Sequence, residues 1–185
     1  MIKNKPNIRF ISFIYEGKTE KEVISSIIHV LYNCRKFRIC NQHTHTINGT
    51  IGDDIKKKEP KNCCQTFVII DLDDISNNKL QSIQKDCKDT NSTLILSNPC
   101  IEINWLAAFK DVSVKNWNKS DIYSQLKKEL SISKNDDFNK VELALKIVKI
   151  LKSNPEKLAN WENNLLKLKQ KTKNNNFYDL IELIK

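Results

Sequence analysis

A chain of 185 residues with 39% hydrophobic and 29% charged side chains is long enough to bury a core without staples. It is neither apolar enough for a membrane protein nor polar enough for disorder. Its 31 Lys and Arg against 22 Asp and Glu give a formal net charge of +9, but the excess is evenly spread and forms no basic patch. Residues 1–110 carry 16 basic and 12 acidic side chains, and residues 111–185 carry 15 and 10. A positive surface favours polyanions through counterion release, so DNA or RNA is a candidate partner on charge alone, though without a patch to locate it.

The longest apolar runs, such as residues 67–70, fall far short of the roughly 18 residues of a transmembrane helix. The N-terminus lacks the apolar stretch and cleavage site of a secretory signal. A cytoplasmic protein without membrane contact is therefore expected. Six cysteines show no C-x-x-C spacing, so reduced thiols are expected rather than a zinc ribbon. His43 and His45 would share one side of a strand, with no third ligand in sequence reach.

Residues 8–15 form a continuous run of β-branched and aromatic residues, the pattern of a strand buried on both faces. Glu16-Gly17-Lys18-Thr19 breaks it. Thr19 and Glu22 fit a capping box, and Val23, Ile24, Ile27, Ile28 and Leu31 then recur at helical spacing. Residues 37–47 predict a more polar second strand, followed by a loop over 49–65. A third strand, residues 66–70, ends in Asp71-Leu72-Asp73-Asp74. A polar helix over 77–88 leads to a fourth strand, residues 92–96. After it, Asn98 suits a helix cap and Pro99 the first helical position. From Asp111 onward only helical spacing recurs, around residues 122–130, 141–151, 158–168 and 178–184, with Pro155 separating the second from the third. Strands alternating with helices argue a parallel α/β sheet covered on both faces.

Two buried strands thus end in carboxylates. At the carboxyl edge of a parallel sheet such groups gather where strand order reverses. If those strands are neighbours, Glu16 faces Asp71 and Asp73, and their mutual repulsion raises each pKa unless a cation intervenes. An all-oxygen cluster suits Mg2+ or Mn2+. Asp73 and Asp74 equally suit a turn or helix cap, and Glu20 is also the usual charge of a helix first turn.

The motif E-G-x-T-E (Glu16, Gly17, Lys18, Thr19, Glu20) followed by D-x-D (Asp71, Leu72, Asp73) resembles the Toprim domain of topoisomerases, primases, OLD-type nucleases and small ribonucleases. Ser97-Asn98-Pro99-Cys100-Ile101-Glu102, with Trp105-Leu106 behind it, resembles the corresponding stretch of RloB-like proteins, a group associated with phage defence. The resemblance covers roughly residues 8–110, and more loosely 177–184. It implies a Toprim-like Rossmannoid core over residues 1–110 with a C-terminal helical extension over 111–185 packed on it. It also implies a metal-dependent nuclease cleaving DNA or RNA. Glu16, Asp71 and Asp73, with Asp74 beside them, are the expected ligands of Mg2+ or Mn2+. Glu16, Glu20, Asp71 and Asp73 are the expected catalytic groups. Lys18, Asn98 and Glu102 are expected on the substrate, with the amides after Asn98 holding a phosphate. Two alternatives stand beside this one. The first is a non-catalytic Toprim-like subunit that binds a partner ATPase of the AAA type, since the chain has no P-loop of its own, or nucleic acid. The second is a ribonuclease that processes RNA.

Overall fold

Alternating apolar runs and helical stretches resolve into one parallel sheet whose handed connections leave a crevice at a defined edge. The computed structural model describes residues 9–34, 37–44, 65–73, 75–133, 139–172 and 174–185. Among these, strands β1 (Arg9–Tyr15), β2 (Phe37–Thr44), β3 (Gln65–Asp71) and β4 (Thr93–Ser97) lie in the order β2-β1-β3-β4. Every neighbouring pair is parallel. The helices are α1 (Lys18–Ser26), running on into a π-helical turn (Ile27–Leu31), α2 (Asn77–Asp89), α3 (Glu102–Leu106), α4 (Lys119–Glu129), α5 (Lys140–Ser153), α6 (Pro155–Lys171) and α7 (Phe177–Ile184). Asp74, His45 and nearly all of the loop expected over 49–65 lie outside the described residues. No described helix is long and apolar enough to cross a membrane.

Side-chain alternation sorts the strands onto two faces. Ile11, Phe13, Tyr15, Phe67, Ile69 and Ile95 join the main core with Val23 and Ile24 of α1. Ile14, Val68, Ile70 and Leu96 face the other way, onto Ile83 and Cys87 of α2. Each such side chain contributes about 1.5–3 kcal/mol when fully buried. The β1-α1-β2 and β3-α2-β4 crossovers run in opposite directions along the sheet, so the right-handed rule sends their helices to opposite faces. The chain therefore leaves β1 and β3 on opposite sides, and a crevice opens between their carboxyl ends.

Residues 111–185 are bound to this sheet by a shared core. Ile122 and Leu126 of α4, Leu143 and Ile147 of α5, Trp161 and Leu165 of α6, and Phe177 and Leu180 of α7 all belong to the cluster that contains β1 and β3. Polar contacts reinforce the join. Trp161 Nε1 donates to the carbonyl of Asn104 (2.7 Å), and Asn164 Nδ2 to that of Ala107 (2.9 Å). Asn176 behaves like a short piece of strand against β4. It accepts from the Leu96 N–H through Oδ1 (2.7 Å), donates through Nδ2 to the Leu94 carbonyl (2.8 Å), and donates its own N–H to the Leu96 carbonyl. An edge of unpaired backbone groups is thereby closed.

Two local expectations are corrected. The Thr19–Glu22 capping box does not form: Gly17 is the residue before α1, no side chain caps it, and Thr19 is already helical. Glu20, three residues after Gly17, reaches back instead, because a Cβ on Gly17 would lie 2.8 Å from Glu20 Oε2. Nor does Asn98-Pro99 open a helix. The Asn98–Pro99 bond is cis, the carbonyls of Ser97 and Pro99 both accept from the Leu72 N–H (3.0 and 2.9 Å), and α3 starts only at Glu102 without a side-chain cap. This turn is tied to the end of β3, and the helix N-terminus lies at Ile101 rather than at Asn98 and Pro99. Asparagine does cap α4, α5 and α6, through Asn118, Asn139 and Asn154.

Asn176→Ala should strand the Leu96 N–H at the sheet edge and cost about 1–3 kcal/mol, measured by chemical denaturation. Asn176→Asp keeps the acceptor but sets a carboxylate against the Leu94 carbonyl, so it should not restore full stability.

Candidate functional site

The turn after β1 and the end of β3 meet at the crevice. Tyr15 pairs with Ile69 in register, so Glu16 arrives level with the last residues of β3. Its carboxylate accepts from the Asp71 N–H (3.0 Å). Ser97 is the β4 partner of Asp71 and accepts from Asn104 Nδ2 (2.9 Å). Glu20 comes in from α1, and Glu102 from the first residue of α3. Their burial is severe for charged groups, with Glu20 7%, Asp71 8% and Glu102 0% exposed.

Asp71 lies at the electrostatic centre. Burial, then the charges of Glu20, Glu102, Glu16 and Asp73, push its carboxyl well above the ordinary 3.8. Its Oδ1 has no hydrogen-bond partner among the described residues. Burial also pushes Glu20 up and the charge of Glu102 adds to it, partly offset by the amides of Glu20 and Gly17. For Glu102 burial works in the same upward direction, but Lys140 together with the Cys100 thiol outweighs it and holds the carboxyl below 4.5. Lys140 Nζ lies 2.8 Å from Glu102 Oε1, and Tyr123 donates its hydroxyl to the same oxygen (3.1 Å). Glu102 Oε2 is left without a partner. Asp73 is ion-paired with Lys119.

The structure therefore brings together Glu16, Glu20, Asp71 and Glu102, with Asp73 at the rim on Lys119. Asp74 is outside the described residues. Lys18, at the start of α1, is exposed. Asn98 lines a surface recess with Ser113, Lys115, Asn116, Lys171 and Thr172, which shares no residue with the carboxylates. Lys119, Tyr123 and Lys140 were not foreseen from the sequence. They come from helices far along the chain, and one lysine among 28 carries no local signal.

Oxygen-only donors and a buried carboxylate oxygen lacking any partner fit a hard divalent cation. Among the described residues no three His, Cys, Asp or Glu side chains already stand close enough together to hold a metal ion, and Asp73 and Glu102 are engaged by lysines. Loading the site thus requires side-chain movement. Of the cysteines, Cys34, Cys87 and Cys100 are free thiols.

A family model, that of the RloB-like proteins, matches residues 11–184. No curated protein and no solved structure matches the chain.

Asp71 has a raised carboxyl pKa, so the folded chain keeps a proton the unfolded chain has lost, and stability falls as pH rises from about 4. In chelator, Asp71→Asn should raise Tm at neutral pH and remove that fall, read from thermal melts across pH. Glu102 acts in the opposite sense: its contribution is present above 4.5 and lost as pH drops toward its lower folded value. Lys140→Met should cost about 2 kcal/mol, less than the about 3–5 of a fully buried pair because Lys140 is partly exposed. Adding Glu102→Gln should recover much of the loss in a double-mutant cycle.

Proposed function

This chain belongs to the RloB-like family, and from that premise, with the partnerless oxygen of buried Asp71, we propose that it is a divalent-metal-dependent nuclease hydrolysing phosphodiester bonds of DNA or RNA. Asp71 carries this reading. A carboxylate buried among four others, with an oxygen that no donor satisfies, is costly to keep unless a cation completes it. The resemblance of its motifs to Toprim nucleases supports the same assignment, and the family's association with phage defence supports that cellular role in the cytoplasm.

Glu16, Asp71 and Asp73 would hold Mg2+ or Mn2+, Asp73 after leaving Lys119. An ion held there would supply positive charge for phosphoryl oxygens and would acidify a water. Glu20 would be suited to hold a proton at its carboxylate, since burial raises its affinity for one. Lys140 and Tyr123 keep Glu102 charged and fix Oε1, which leaves Oε2 directed by the same contacts. Gly17 has room for this arrangement only because it lacks a Cβ.

One observation favours a second reading, a non-catalytic subunit serving a partner ATPase of the AAA type. Lys119 and Lys140 already neutralise Asp73 and Glu102 from within the chain, as they would if no ion were ever bound. The two readings separate cleanly. Under the first, Mn2+ stabilises the fold by about 2.7 kcal/mol at a hundred times Kd, which raises Tm, and the protein with Mn2+ cleaves mixed DNA and RNA substrates. Asp71→Asn should abolish the Tm rise and lower turnover by about a hundredfold or more. A chain that neither gains stability from Mn2+ or Mg2+ nor cleaves any of these substrates belongs to the second.

A further inference from the structure

Two lysines answer the carboxylates from the C-terminal helices, and they do so on different terms. Lys140 and Tyr123 both reach Oε1 of Glu102, whose side chain is 0% exposed. The Lys140 ammonium also lies 5.5 Å from the centre of the Tyr123 ring. That pair is built into the interior. Lys119 meets Asp73 at the rim, where the two side chains are 39% and 14% exposed. Asn118 caps the start of α4, accepting from the Asp121 N–H (2.8 Å), and Ile122 and Leu126 bury the helix's apolar face. The backbone of Lys119 is thereby fixed, while its flexible four-carbon stem can turn and carry the ammonium into water.

Asp73 is the acid this contact occupies. Its charge is felt at Asp71, yet among the described residues no three His, Cys, Asp or Glu side chains stand close enough together to hold a metal ion. An ammonium and a divalent ion repel strongly on one carboxylate, so a cation that uses Asp73 must replace Lys119 there. A partly exposed pair of this kind is weak, which makes it exchangeable. The Glu102 pair is not, because breaking it leaves a charge buried. A site whose competent form is only part of the population binds its ligand more weakly by that fraction.

We propose that Lys119 is a latch on the carboxylate site: its ammonium competes with a divalent ion for Asp73, and the ion loads by displacing it. The latch rests on the metal-binding half of the nuclease reading and is measurable without cleavage. It keeps Asp73 neutralised beside Asp71 until an ion arrives, and it sets the metal concentration at which the site fills. Loading frees one ammonium at the rim of the crevice.

The test has two arms. In the first, the wild-type chain is briefly acetylated with N-hydroxysuccinimidyl acetate, in EDTA or in saturating Mn2+, and each lysine is scored by peptide mass spectrometry. Mn2+ should raise labelling of Lys119 about twofold or more. Lys115, which sits on Asp121 near the same end of α4, should be unchanged. In the second arm, Mn2+ affinity is read from the electron paramagnetic resonance signal of the free ion. Lys119→Met should bind Mn2+ about threefold to tenfold more tightly than wild type. Lys119→Arg should bind no more tightly than wild type, and the control Lys115→Met should match it. Unchanged Lys119 labelling in saturating Mn2+ overturns the latch whatever the variants do to folding. So does equal affinity in wild type and Lys119→Met, or equal tightening by Lys119→Met and Lys115→Met. If no form of the chain binds Mn2+, the latch falls with the metal site. Failure of the nuclease reading alone looks different: labelling and affinity shift as expected, and the protein with Mn2+ cleaves neither DNA nor RNA.

Discussion

Carboxylates crowded out of water at one sheet edge are the constraint around which this molecule is arranged. Asp71 is the extreme case, buried, surrounded by like charge and left with an unsatisfied oxygen. Such a group is stable in its charged form only if something positive answers it. Nearby groups answer the others. Backbone amides at the start of α1 support Glu20, the Asp71 N–H supports Glu16, Lys119 meets Asp73, and Lys140 with Tyr123 meets Glu102. Among the described residues, nothing compensates Asp71 in this way, and its Oδ1 has no hydrogen-bond partner.

The compensating groups explain why the C-terminal helices matter to the site as well as to the core. Lys119 and Tyr123 are on α4 and Lys140 opens α5. Both helices are anchored by Ile122, Leu126, Leu143 and Ile147 in the same hydrophobic cluster that buries β1 and β3. Removing those helices would expose the main face of the sheet and take away the counter-charge of Glu102. The family match, which runs from residue 11 to residue 184, treats sheet and helices as one unit, and the packing gives a physical reason for it.

Much of the fold was legible locally. The four strands and the principal helices appear close to their expected positions, because alternation and 3.6-residue spacing record burial directly. The adjacency of Glu16 and Asp71 was conditional on their strands being neighbours, which the strand order β2-β1-β3-β4 supplies. Caps were harder to read. Thr19–Glu22 and Asn98–Pro99 both satisfy a sequence signature for a helix start, yet the first gave way to another local contact, Glu20 folded over Gly17, and the second to a tertiary one, the turn after β4 hydrogen-bonded to Leu72. A capping signature is worth about 1 kcal/mol, which a single competing buried hydrogen bond can match.

What the sequence by itself determined is the class of fold and the identity of the acids at its edge. Strand periodicity, the position of each carboxylate just after a buried run, and the motif resemblance are all properties of residues near one another in the chain. What only the tertiary structure decided is which charges meet those acids. Lys119, Tyr123 and Lys140 lie 46, 21 and 38 residues from the carboxylates they contact. Nothing in their neighbours distinguishes them from other lysines and tyrosines of the chain. Their placement follows from how α4 and α5 bury their apolar faces against the sheet, and hydrophobic packing, being non-directional, leaves no local mark on the polar residues it carries into position.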